Sequence, residues 1–84
     1  MYSIEVTKEA RKVLLKMPRT LRELVLGKVH ELARDPFGTP HVKKLVGCVG
    51  YRLRVGDWRV IYDVESDRLV VRVLRIGSRG GVYE

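Results

Sequence analysis

The residues best suited to chemistry in this 84-residue chain are the arginines of its C-terminal half. Arg52 and Arg54 precede a Gly-Asp pair, and Arg59 follows it. A guanidinium group is permanently charged, and its planar set of donors matches the oxygens of a phosphate. Because its pKa lies above ~12, arginine stabilises anionic groups without acting as a general acid or base near neutral pH. The pattern therefore indicates phosphate binding.

The overall composition agrees with an anionic partner. Seventeen Lys and Arg against ten Asp and Glu give a formal net charge of +7, which attracts a polyanion or an acidic protein. One cysteine and two histidines cannot form a disulfide within the chain or a Cys/His zinc cluster, so we expect no metal and no cofactor. We also expect a cytoplasmic location and no membrane association, because signal-peptide and membrane-span patterns are absent from this sequence.

The N-terminal half predicts one strand and a pair of helices. Residues 2–6 alternate between apolar and polar, as in a half-buried strand. Helical spacing of apolar residues follows over 8–17 and again over 21–34. Thr20 and Glu23 fit a capping box at the start of the second helix. The short connection predicts that the two helices form an antiparallel hairpin.

The C-terminal half predicts an antiparallel sheet. After a Pro-rich turn at 35–40, runs rich in Val, Ile and aromatic residues cover 51–55, 58–65 and 68–76. Two-residue turns between these runs indicate a three-stranded meander. The fold class is therefore α+β in a single domain over 1–84: an N-terminal strand, a helical hairpin and the meander, with the helices on one face of the sheet.

The predicted turns fix a register, with Val55 opposite Trp58 and Glu65 opposite Arg68. One face of the sheet then carries the predicted core, which comprises Tyr51, Leu53, Val55, Trp58, Val60, Tyr62, Val64, Leu69, Val71 and Val73. The other face carries the charged residues Arg52, Arg54, Arg59, Asp63 and Arg72 around an apolar floor of Ile61, Leu74 and Ile76.

This register brings like charges together. Arg54 lies opposite Arg59, and both Arg52 and Arg72 flank Ile61. Like charges opposite each other destabilise a sheet, so a bound anion is one explanation for them. The alternative is that they are solvated side chains on an exposed face, where charge discourages aggregation.

Further candidates lie on both sides of the predicted strands. Lys43 and Lys44 precede the sheet and are candidate RNA or phosphate ligands, and the neighbouring His41 is either a base or a bystander. Arg79 and Tyr83 follow the last strand and are near enough in sequence to fold back to the arginine face. The alternative for these two is an exposed chain terminus.

These residues also carry a resemblance. The run YRLRVGDWRVIY at 51–62, VVRVLRIGSR at 70–79 and the ending Val82-Tyr83 resemble the RelE/ParE superfamily of type II toxins, and the RelE branch is the more similar. The resemblance extends over the whole chain and implies the same fold. It also implies ribosome-dependent endoribonuclease activity, in which a ribose 2′-hydroxyl of mRNA attacks the adjacent phosphate.

The resemblance implies roles for single residues. Arg59 and Arg79 match positions that contact the scissile phosphate, and Tyr83 matches a tyrosine implicated in proton transfer. Arg52 and Arg54 match basic positions that bind RNA, often lysines in relatives. Apart from the resemblance, Arg72, Lys43 and Lys44 are also expected to bind RNA or phosphate, because of their charge and predicted positions.

The resemblance also implies partners and leaves alternatives open. The implied partners are a cognate acidic antitoxin, the ribosome and mRNA. One alternative is the ParE branch, whose members inhibit DNA gyrase without cleaving nucleic acid. The other is a non-catalytic nucleic-acid-binding module, although the aromatic residues fall on the predicted core face and would form a poor stacking platform.

Overall fold

A computed structural model describes residues 1–47 and 49–78 of the chain. The elements in these residues are β1 (Ser3–Val6), α1 (Lys8–Lys16), α2 (Arg19–Arg34), β2 (Val42–Lys44), β3 (Tyr51–Val55), β4 (Trp58–Glu65) and β5 (Val70–Ser78). The strands form one sheet in the order β1-β5-β4-β3-β2, in which β1 runs parallel to β5 and the other neighbours are antiparallel. The predicted α+β fold is confirmed, and β2 is an additional strand of three residues that the sequence analysis did not predict.

The core lies between the two helices and one face of the sheet. The buried stripe of α2 comes from Val25, Val29 and Leu32, which recur at helical spacing. It belongs to one apolar cluster with the central strands, where Leu53 and Tyr62 are completely buried. Neither described helix is both long enough and apolar enough to cross a membrane.

Thr7 joins β1 and α1 to strand β5. Its hydroxyl oxygen accepts a hydrogen bond from the Ala10 backbone N–H at 3.2 Å, which caps the first turn of α1. The same hydroxyl donates to the Leu74 carbonyl oxygen at 2.8 Å. One side chain therefore both starts the helix and attaches it to β5.

The start of α2 differs from the prediction. The helix begins at Arg19, and its N-cap residue is Pro18, which provides no side-chain cap. Thr20 therefore lies inside the first turn, and the predicted capping box is wrong. Glu23 instead pairs with Arg19 one turn earlier, with 3.1 Å between Nε and Oε2. Proline suits this position because its φ leads into a helix and because it has no N–H of its own to satisfy.

The turn after α2 is tied to the centre of the sheet. Its Asp35 carboxylate accepts hydrogen bonds from the backbone N–H groups of Phe37 and Gly38. The Tyr62 hydroxyl donates to the Pro36 carbonyl oxygen at 2.5 Å. Burial raises the pKa of Tyr62 well above its ordinary value, so this hydroxyl keeps its proton and remains a donor.

The first hairpin has the predicted register and the second does not. Val55 lies opposite Trp58 across a two-residue turn, and Gly56 in that turn has a φ of 59°. In the second hairpin Glu65 pairs with Val70 rather than with Arg68, because the connection comprises four residues, Ser66 to Leu69. Leu69, predicted in the core, adopts a φ of 54° in this turn and is 47% exposed.

A β-bulge between β4 and β5 also changes which residues face the core. Ile61 lies opposite Arg75, whereas the next residue, Tyr62, lies opposite Val73, so Leu74 is an extra residue on β5. Beyond the bulge, Ile76 pairs with Val60 and is buried in the core, which corrects its prediction as part of the opposite face.

Candidate nucleic-acid interface

The face of the sheet turned away from the helices, called the open face here, carries a concentrated group of cations. Successive residues of a strand point to opposite faces, so the residues that alternate with the buried ones belong to the open face. On β2 to β5 these include five cations, which we call the basic cluster: Lys43, Arg52, Arg54, Arg59 and Arg75.

Three members of the basic cluster lie in one row across the sheet. Lys43 pairs with Arg52, Arg52 with Ile61, and Ile61 with Arg75. Ile61 is only 5% exposed although it lies on the open face. Long basic side chains cover apolar surface with their methylene stems and keep their charged ends in water. We attribute the burial of Ile61 to its arginine neighbours.

The other two members face each other at the end of the β3–β4 hairpin. Arg54 lies directly opposite Arg59, as predicted, and cross-strand partners have Cα atoms about 4.5–5.5 Å apart. Together with Gly56 and Asp57 they line an open cavity of about 260 Å³. The next residue in this row is Gly77, which lies opposite Arg59 and has no side chain. The two arginines that line this cavity attract an anionic group, whereas the carboxylate of Asp57 repels one.

Arg72 lies elsewhere on the open face, in a set of ion pairs. Its cross-strand partner is Asp63, so the prediction that it flanks Ile61 is wrong. Its guanidinium group lies 2.8 Å from Glu65, 3.4 Å from Asp63 and 3.6 Å from Glu5. The charge of Asp63, followed by the hydrogen bond to Glu65, raises the pKa of Arg72. The ion-paired residues, called the paired network here, are Glu5, Asp63, Glu65, Arg68 and Arg72.

Two of the remaining predicted residues, Lys44 and His41, are described by the structure, and neither belongs to the basic cluster. Lys44 is exposed but lies opposite Tyr51, in register with the core side of the sheet. His41 is also exposed, and its carbonyl oxygen accepts a hydrogen bond from the Arg54 backbone N–H at 3.1 Å. Arg79 and Tyr83 lie outside the described residues, and so does Cys48.

Arg75 was not among the site residues predicted from the sequence. The predicted register placed Arg72 beside Ile61, where the structure has Arg75. A signal was present in the apolar pattern of β5: Val71 and Val73 occupy odd positions, whereas the next buried residue is Ile76. A change of phase within one strand is typical of a bulge.

The basic cluster can bind and stabilise negative charge but is unsuited to moving protons. Arginine side chains in general are permanent cations and do not serve as acids or bases near neutral pH. Arginine forks placed around a phosphate stabilise charge that develops on its oxygens during a reaction. Proton transfer would therefore require groups outside this cluster.

Comparison with known proteins identifies the family. The family model described as ParE toxin of the type II toxin-antitoxin system parDE matches residues 4–83. The chain belongs to this family. The toxin is also 31% identical to Toxin RelG of Mycobacterium tuberculosis, over 98% of this chain and 95% of that protein. These matches agree with the RelE/ParE resemblance of the sequence.

Solved structures give the same result for the fold. The toxin superposes on a chain of the RelBE2 toxin-antitoxin complex of Mycobacterium tuberculosis with a TM-score of 0.82 and 26% identity, covering 93% of this chain and 98% of that one. The archaeal RelE-RelB complex of Pyrococcus horikoshii gives a TM-score of 0.82 with 30% identity, covering 95% and 97%. The toxin therefore has the fold of the RelE proteins in these complexes.

Proposed function

We propose that this toxin is an endoribonuclease that cleaves mRNA on the ribosome. The observation that carries the proposal is the basic cluster, in which Arg54 lies opposite Arg59 and Lys43 lies opposite Arg52. Like-charged pairs across strands oppose folding, and a bound polyanion offsets that repulsion. The similarity to proteins named RelE and RelG supports the RelE type of activity.

The proposed reaction is an internal transfer at one phosphodiester. The ribose 2′-oxygen forms a bond to the adjacent phosphorus, and the bond from phosphorus to the 5′-oxygen of the next nucleotide breaks. The 2′-hydroxyl loses a proton, and the leaving 5′-oxygen gains one. Negative charge grows on the phosphate oxygens meanwhile, and we assign its stabilisation to Arg59 together with Arg79. Arg52 and Arg54 hold the neighbouring RNA backbone.

We assign the general base to Tyr83. A phenol ordinarily has a pKa near ~10, and nearby guanidinium groups favour its anionic form. In the sequence, Arg79 and Tyr83 follow Gly77, which is the cross-strand partner of Arg59. The ribosome arranges the mRNA in this proposal, because in-line attack requires a strand held in the correct geometry.

An acidic antitoxin is the proposed protein partner. The similar RelE chains come from structures of toxin-antitoxin complexes, including the intact RelBE complex of E. coli. The net charge of +7 favours association with an acidic chain. We place both the antitoxin and the ribosome in the cytoplasm with this toxin.

Cleavage with purified components tests the activity. The toxin is incubated with one mRNA, either bound to ribosomes or alone, and the 5′ ends of the products are mapped. We expect cuts within the ribosome-bound message and a largely intact naked RNA. Efficient cutting of naked RNA would contradict the ribosome-dependent mechanism, and binding without any cutting would indicate a non-catalytic module.

Inhibition of DNA gyrase is the second candidate function. It is favoured by one observation: the matching family model is that of ParE toxins. A supercoiling assay with purified gyrase distinguishes the two. Inhibited supercoiling together with intact ribosome-bound mRNA would replace the endoribonuclease proposal with the gyrase one.

A further inference from the structure

The row of Lys43, Arg52, Ile61 and Arg75 runs across the strands rather than along one of them. Neighbouring strands lie about 4.8 Å apart, so three strand spacings separate Lys43 on β2 from Arg75 on β5 by about 14 Å. A stacked single strand of nucleic acid carries one phosphate for each ~3.4 Å of axis. The row is therefore long enough to meet more than one phosphate.

Arg75 belongs to this row only because of the bulge. In an unbroken antiparallel ladder, the pair next to Tyr62–Val73 would be Ile61–Leu74. The extra residue instead places a cation there. The cations thus lie on both sides of Ile61, whose burial gives the row a continuous floor.

We propose that a single RNA strand crosses the open face perpendicular to the β-strands, with backbone phosphates bound at Lys43, Arg52 and Arg75. Arg75 is a phosphate-binding residue in addition to those assigned above. The choice of RNA as the polyanion rests on the proposed function. Arginine forks suit phosphate oxygens, and a row of cations that spans three strand spacings suits a polymer with a charge on every nucleotide.

Salt dependence of binding measures these contacts one by one. A fluorescent single-stranded RNA with 2′-O-methyl riboses cannot undergo 2′-hydroxyl attack, so anisotropy reports only its binding to the full-length toxin. The logarithm of the binding constant falls with the logarithm of salt by about 0.7 for each phosphate neutralised on a single strand. We expect Arg75→Ala and Lys43→Ala each to reduce the slope by about 0.7, and the double variant by about 1.4.

Two variants serve as controls. Arg68→Ala removes an equal charge from the paired network, where Arg68 contacts Glu65 at 3.2 Å, and should leave the slope unchanged. Arg75→Lys keeps the charge and should retain the wild-type slope. Circular dichroism and thermal melting of each variant verify that the sheet is folded.

The outcomes test the RNA path across the open face separately from the proposed cleavage of mRNA. If folded Arg75→Ala binds RNA with the wild-type salt slope, the proposed RNA path is overturned. It is also overturned if Arg68→Ala loses as much of the slope as Arg75→Ala does, or if RNA binding by the wild type does not depend on salt. If these substitutions weaken binding to polyglutamate but not to RNA, the row binds an acidic protein, and the proposed RNA path is overturned. If the slopes change as expected while ribosome-bound mRNA stays intact, the RNA path stands and the proposed cleavage fails.

Discussion

The two ends of the open face contain the same side chain in opposite surroundings. In the paired network, Arg72 lies within 3.6 Å of carboxylates on three residues from β1 and β4. In the basic cluster, the cross-strand partner of Arg54 is Arg59 and that of Arg52 is Lys43. Both ends share one sheet and one core. The difference lies in the neighbours that the register provides.

Because of this difference, one end of the open face contributes to stability and the other is suited to binding. Opposite charges across strands stabilise a sheet by a few tenths to about 1 kcal/mol for each pair, and like charges destabilise it. The paired network therefore supports folding, whereas the like-charged cross-strand pairs of the basic cluster contribute repulsion. An arginine on an exposed sheet face indicates a binding site only when its neighbours are known.

The largest expected effect concerns activity at the basic cluster. Arg59→Ala should reduce the rate of ribosome-dependent mRNA cleavage by about 10²–10³-fold, because one donor to the reacting phosphate is lost. Arg68→Ala, which alters the paired network, should cleave at close to the wild-type rate. Single-turnover cleavage measures both variants. Equal losses in the two would show that the ends of the open face do not differ in function.

The second prediction tests the core that supports both ends. Tyr62→Phe removes the hydroxyl that donates to the Pro36 carbonyl oxygen and should lower the free energy of unfolding by about 1–3 kcal/mol. Urea denaturation measures the loss. At temperatures where the variant is folded, its RNA-binding salt slope should equal that of the wild type. A changed slope would mean that the turn at 35–40 helps to shape the basic cluster.

The difference in stability between the wild type and Tyr62→Phe should also depend on pH. The folded-state pKa of Tyr62 lies above its ordinary value of 10.0, so the folded chain holds this proton more tightly than the unfolded chain does. Its contribution to stability is complete below pH 10 and decreases as the pH rises further. The stability difference between wild type and Tyr62→Phe should therefore narrow above pH 10 in urea melts. A constant difference would contradict the burial of an ionisable donor.

The next prediction is a small gain in stability. Arg54→Ala removes one of two opposed guanidinium groups and should raise the free energy of unfolding by a few tenths to about 1 kcal/mol at low salt. The gain should disappear at high salt, where exposed charges are screened. Urea denaturation at two salt concentrations measures it. A loss of stability at low salt would show that the two charges do not repel each other in the folded toxin.

The smallest expected effect lies in the paired network. Arg68 is 59% exposed at its side chain, and surface ion pairs contribute about 0.2–1 kcal/mol. Arg68→Ala should therefore lower the free energy of unfolding by no more than about 1 kcal/mol, and less as salt increases. A larger loss would show that the ion pairs act as one cooperative group.

Sequence patterns predicted the parts of this fold that depend on local chemistry. Apolar alternation predicted β1, runs rich in Val, Ile and aromatic residues predicted β3 and β4, and the Gly56-Asp57 turn fixed the pairing of Arg54 with Arg59. That pairing is the centre of the candidate site. It could be predicted because glycine with a positive φ favours a two-residue hairpin turn.

The parts that could not be predicted depend on contacts between strands. Ser66 and Asp67 resembled a two-residue turn, but the connection continues through Leu69, and no local rule excludes either length. The bulge at Leu74 then moved every later residue of β5 to the other face relative to the prediction. Both errors concern the pairing of β5, so they changed the positions of Arg72, Arg75 and Ile76.

The bulge on β5 has a consequence for how this protein can evolve. In an unbroken strand, residues three apart point to opposite faces, but Arg72 and Arg75 both lie on the open face because Leu74 intervenes. Loss of that one residue would turn Ile76 toward solvent or shift Arg72 away from its carboxylates. Substitutions within either end can therefore accumulate independently, whereas a single-codon deletion between them would alter both ends at once.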